Sequence, residues 1–265
     1  NAVLPSTKHM ALKNLINWLR GCGETSPLPE DLWQQTLATL PFLDRLNADE
    51  RSRLKALSEA FLAEKEFSTA GGLELTDTMC VSIAVQACLP ILNLGLRCYR
   101  GWVGIVIYPD EFIIPRVIED EFGVVHEFDD IASGEAWEGG PVLISWNDAQ
   151  MAGTGYNVVI HEFAHKLDML NGDADGLPPL PPGLTPDVWE ETLLAAYDDF
   201  CQQVDEAEQR GQAPLLDPYA AESPAEFFAV MSETFFEIPE LLKKEYSELY
   251  TLLSRFYRQD PDKRQ

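Results

Sequence analysis

Residues 157–170 read Asn-Val-Val-Ile-His-Glu-Phe-Ala-His-Lys-Leu-Asp-Met-Leu, and Asn171-Gly172 stops the pattern. Val158, Val159 and Ile160 before the polar centre, with Leu167 and Leu170 after it, supply the apolar face of a buried helix. Residues four apart on a helix share a face, about 6 Å apart along the axis. His161 and His165 can therefore converge on one divalent cation. Glu162 would aim at that cation's open side, where a carboxylate can take a proton from water. With four His among 265 residues, random placement yields His-Glu-x-x-His with odds on the order of one in two hundred.

Such a site needs a third protein ligand. Asp168 lies on nearly the same face, but it sits five residues past the midpoint of the His pair, roughly 7.5 Å along the axis. Its short side chain suits it to accepting an N–H or supporting the site from outside the ligand set, or equally to an ordinary place on the exposed surface. Downstream, Ser223-Pro224 marks a helix start, with Pro at the first helical position. Glu226, three residues after Ser223, is either a ligand or the acidic half of a capping box. Glu233 shares its face, and both sit among Phe227, Phe228, Met231, Phe235 and Phe236, where a buried carboxylate needs a partner. The residues alone leave Glu226 and Glu233 evenly matched. Glu222 precedes the cap and reads as solvated. His126 has no second His four residues on, so it reads as structural, and His9 falls in the N-terminal arm.

The surrounding chain reads as an α+β fold, a small mixed sheet packed against helices with a helical C-terminal half. Helical patterns cover Glu30 to Leu40 and Asn47 to about Phe67, with Asn47 as N-cap. The charge-free stretch Thr78 to Leu96 contains Gln86, Pro90 and Gly95, and reads as a kinked, buried helix rather than a membrane span. Trp102–Tyr108 and Pro141–Trp146 are β-rich, and the second is read as an edge strand for extended substrate. Glu119-Asp120-Glu121 is acidic, and Leu177 to Pro186 is a Pro-rich loop. Helices follow from Asp187 to about Arg210, after Ser223-Pro224, and from Pro239 to about Tyr257. The expected organisation is a flexible segment at 1–27 and one domain at 28–262.

Nineteen Lys and Arg against 44 Asp and Glu give a net charge of 19 − 44 = −25. That field repels phosphate backbones, so neither nucleic acid nor an anionic membrane is an expected partner. Five scattered Cys without a Cys-x-x-Cys pair read as reduced thiols in a cytoplasmic protein. Asn14 and Asn17 interrupt the Lys8–Arg20 segment, which does not read as a secretory signal.

The run Val159–Asp168 with Asn171-Gly172-Asp173, and Asp217–Ala221 leading into Ser223–Glu233, resemble the Mlc titration factor A family of bacterial zinc peptidases. The resemblance extends over about Leu28 to Pro261, including Ala87–Pro90 and Gly140–Val142. Lys166, unusual after the second His in zinc peptidases generally, fits this family. The active site is similar in architecture to the catalytic domain of anthrax lethal factor, where a Tyr also precedes the metal-binding Glu by seven residues. The resemblance implies one Zn²⁺ held by His161, His165 and Glu226, Glu162 as general base and Tyr219 as transition-state hydrogen-bond donor, with Glu233 and Asp168 supporting. It also implies a zinc-dependent peptidase acting on peptide or protein, exo- or endo-acting, with an aminopeptidase-like action among the options. The same family sequesters the glucose repressor Mlc, so the alternative expectation is a regulatory binding protein in which catalysis is incidental.

Overall fold

The structure is a computed structural model that describes residues 27–119 and 125–263. The 1–27 segment, apart from its last residue, and Asp120-Glu121 of the acidic stretch lie outside the described residues, as does His9.

Helix α1 (Glu30–Thr39) leads to α2 (Ala48–Glu64). Asn47 caps α2 as expected: its Oδ1 accepts the Glu50 N–H at 2.9 Å, and the Glu50 carboxylate accepts the Asn47 N–H at 3.0 Å. The helix stops earlier than its apolar pattern suggests, because Lys65 turns the chain into strand β1 (Glu66–Thr69). Helix α3 (Asp77–Cys88) is capped by Thr76 and buried along Met79–Cys88. The expected kinked helix to Leu96 is not formed. Pro90 lacks an N–H and disfavours helix before it, so residues 89–94 become turns, and Gly95, whose φ is 88°, leads into a short 3-10 helix at Leu96–Tyr99.

One mixed sheet takes the order β1–β2–β6–β5, with β2 at Gly104–Tyr108, β5 at Gly134–Ala136 and β6 at Val142–Ser145. β1, β2 and β6 run parallel, and β5 runs antiparallel to β6. The Pro141–Trp146 run is therefore interior. Its strand is buried along its length and hydrogen-bonded on both sides, which corrects the edge-strand expectation; the edges are β1 and β5. A separate antiparallel ribbon pairs β3 (Phe112–Glu119) with β4 (Val125–Ala132). Phe112 and Ile114 pack on Leu143, while the cross-strand pair Ile113 and Ile131 faces solvent.

The C-terminal half comprises α4 (Val158–Asp168), α5 (Pro186–Gln209), α6 (Pro224–Glu237), α7 (Pro239–Glu245) and α8 (Ser247–Tyr257). The last two were expected as one helix. Tyr246 interrupts it at φ −132°, its hydroxyl held between Asp199 and Gln203 of α5. α4 packs against β5, β6, α3 and α6. Phe163 fixes it from behind, 5.0 Å from the ring of Tyr99, 5.6 Å from Phe61 and 5.8 Å from Trp102. One apolar cluster runs from Leu28 to Tyr257. Among the described residues, no helix is long and apolar enough to cross a membrane.

Candidate metal centre

Asn157 starts α4 by accepting the Ile160 N–H on its side chain at 2.9 Å. The next turns place both imidazoles on one face, with His161 Nε2 3.1 Å from His165 Nε2. α6 crosses this face. Ser223 Oγ accepts the Glu226 N–H at 3.2 Å, as the cap expectation required. The Glu226 carboxylate, however, faces the imidazoles, with Oε2 3.0 Å from His161 Nε2 and 3.3 Å from His165 Nε2. Glu233, one face-repeat later, lies behind His161, its Oε1 2.8 Å from Nδ1. Its other oxygen accepts the backbone N–H of Asn157. Geometry thus separates two carboxylates that spacing could not.

Among the described residues, His161, His165 and Glu226 are the one group of His, Cys and acidic side chains arranged to hold a metal ion. The donor set fits one. Tetrahedral coordination at about 2.0–2.1 Å sets ligand atoms about 3.3 Å apart, close to the three separations here. With a cation bound, a neutral His161 donating its Nδ1–H to Glu233 would turn its Nε2 lone pair, beside that of His165, toward the metal. Burial disfavours a charge on His161, but its hydrogen bonds to Glu226 and Glu233 outweigh that and hold its pKa well above the usual value. Glu226 is half-buried, which works to raise its pKa, yet its hydrogen bonds to the two imidazoles pull it well below the usual carboxylate value. His165 is less supported: its buried Nδ1 has no hydrogen-bond partner among the described residues.

Glu162 is 5% exposed, and burial pushes its carboxyl up to about 7 against the pull of both imidazoles. With His161, Tyr156 and Tyr219 it lines a cavity of about 370 Å³. Tyr219 sits in the helical turn Pro218–Ala221, held by its N–H to Asp217, with its ring 6.0 Å from that of His161. Tyr219 is exposed over 45% of its surface; partial burial, with the carboxylates of Glu226 and Glu222, raises its hydroxyl pKa, so it stays protonated. Asp168 accepts the Gly176 N–H at 2.8 Å, matching the N–H-accepting role expected of it. Glu222 is exposed, and His126 lies in β4, on the separate ribbon.

Two contributors escaped the sequence reading. Glu237 gathers the loop before α4, accepting from Gly153 and Gly155 N–H at 2.8 and 2.9 Å and from Asn157 Nδ2 at 2.8 Å. Its signal was present, an acid four residues after Glu233 on a mostly apolar helix. Gly134 in β5 had none: a Cβ there would collide with the Glu162 side chain and force it to move.

The profile of the glucose-regulated metallo-peptidase M90 family matches residues 15–258. The chain belongs to this family. Mlc titration factor A of Salmonella arizonae is 40% identical over 255 residues, covering 94% of this chain and 99% of the relative. The Salmonella typhi protein of the same name is also 40% identical, covering 94% of each. Membership of the M90 family bears out the resemblance drawn from the His161 and Glu226 segments and implies a metal ion.

Proposed function

We propose that the chain is a zincin-like zinc metallopeptidase whose one domain, residues 28–262, hydrolyses peptide bonds. The observation that carries this reading is the convergence of His161, His165 and Glu226 beside the buried Glu162. A bound Zn²⁺ supplies Lewis acidity to a scissile carbonyl and brings the attacking water to a pKa of about 7. Glu233 keeps His161 in the tautomer that presents Nε2. Glu162 takes the water's proton and returns it to the leaving amine, a role worth about 10²–10⁴ in rate. Tyr219, protonated and bordering the cavity, donates to the developing oxyanion, and losing such a donor costs about 10²–10³.

Elemental analysis and cleavage of a panel of peptide amides test this, with Glu162→Gln beside the wild type. Both should hold about one zinc, while turnover should fall about 10²–10⁴-fold in the variant. Equal turnover in the two would remove Glu162 from the chemistry, and a wild type without metal would end the reading.

The names of the relatives favour a second role. A cytoplasmic regulator binding a repressor of the Mlc type would draw on the net charge of −25 to approach a basic DNA-binding surface. Equal repressor binding by wild type and Glu162→Gln, with no cleavage by either, supports that role and rejects hydrolysis.

A further inference from the structure

Lys166 follows the second imidazole and is 4% exposed, in a position where generic zinc peptidases carry no charge. Its ammonium has no carboxylate within ion-pair distance among the described residues. It donates instead to the carbonyls of Trp137 and, at 2.9 Å, Gly140, and stands 4.6 Å from the Trp102 ring centre. Lys65, 3.7 Å from the centre of the same ring, donates to Tyr99 O and to Trp102 O at 2.7 Å. Burying an ammonium costs free energy, and an apolar side chain of the same volume is often as stable or more so. The charge at position 166 therefore calls for a reason beyond packing.

Its acceptors supply one. Trp137 and Gly140 form the turn between β5 and β6, closed by Gly140 N–H to Trp137 O at 3.0 Å. β5 is one of the two edge strands of the sheet, and its Gly134 lies against Glu162. Lys166 thus joins the helix carrying the imidazoles to the turn that sets how far the cavity wall stands from Glu162. We propose that Lys166 is a positioning residue, tying the β5–β6 hairpin to the metal-bearing helix and so fixing the wall against which peptide is held. This rests on the peptidase reading for its substrate, while the tie itself stands on the contacts alone.

Lys166→Met and Lys65→Met separate positioning from packing. Lys65→Met removes an equally buried ammonium from the same ring without touching the hairpin. Zinc content should stay near one per chain in both. In Lys166→Met, amide exchange over residues 134–142 should accelerate at least tenfold and KM for a cleaved peptide rise severalfold, with a smaller change in kcat. Lys65→Met should leave both readouts at wild-type values. Unchanged exchange in Lys166→Met, or equal acceleration in both variants, overturns the tie. Accelerated exchange with unaltered KM overturns the role in holding substrate. If the wild type cleaves no peptide, the peptidase reading fails, and exchange alone decides the tie. Lys166→Leu, which likewise lacks a donor for the two carbonyls, replaces the Met variant if that does not fold, under the same criteria.

Discussion

Each acidic side chain around the imidazoles has a distinct environment, and that environment sets its task. Glu226 faces two nitrogens, Glu233 orders one of them from behind, and Glu162 faces a cavity. Asp168, three residues beyond His165, is fully buried and accepts the Gly176 N–H at 2.8 Å. Burial pushes its carboxyl from 3.8 up to about 6. The folded chain therefore binds this proton more tightly than the unfolded chain does. Its contribution is complete below about pH 4 and is lost as pH rises to about 6, a swing of about 3 kcal/mol before flattening. Asp168→Asn keeps an acceptor for Gly176 and removes the titration. Urea unfolding of chelated protein at pH 4, 5, 6 and 7 should show the wild type losing stability relative to Asp168→Asn across that interval. A constant difference would mean that Asp168 is ionised throughout.

Single helices assemble the site, but loops and strands hold them at the right distance. Glu237 lies near the end of α6, yet its carboxylate organises the residues that lead into α4. Glu237→Ala orphans three donors and should destabilise the fold by roughly 3 kcal/mol, read as a lower urea midpoint at unchanged m-value. A loss below about 0.5 kcal/mol, the range of ordinary surface changes, would show that the loop holds itself. The sequence revealed α4 and the start of α6 well, because cap, apolar face and polar cluster agreed over one short window. The ribbon of β3 and β4 was not legible, since Pro115 and several charges blur the alternation and the pairing is set by a partner strand. The interior position of Val142–Ser145 was hidden for a related reason: an edge strand and a central strand can share composition, and only neighbours distinguish them. Glu226 and Glu233 looked equivalent because a sequence reports which helix face a residue occupies, not how far along the facing helix it lands.

At the scale of the molecule, the centre joins segments 61 residues apart, α4 and the first turn of α6. Without a cation, His161, His165, Glu162, Glu226 and Glu233 form a crowded set of titratable groups with little access to water, a costly arrangement in a chain of net charge −25. A cation that binds the folded chain alone stabilises it by RT ln(1 + [L]/Kd), about 4 kcal/mol at a thousandfold excess over Kd. For a domain of this size, each kcal/mol moves Tm by about 2–4 °C. Chelation should therefore lower the wild-type Tm by roughly 10 °C. Zinc should restore it, whereas calcium, which prefers six to eight oxygen ligands, should not. Glu226→Ala should start from a lower Tm and respond little to chelator, because the bridge between the two helices is already broken. A wild-type Tm indifferent to both chelator and zinc would mean that the two imidazoles and Glu226 form a hydrogen-bonded cluster rather than a metal centre.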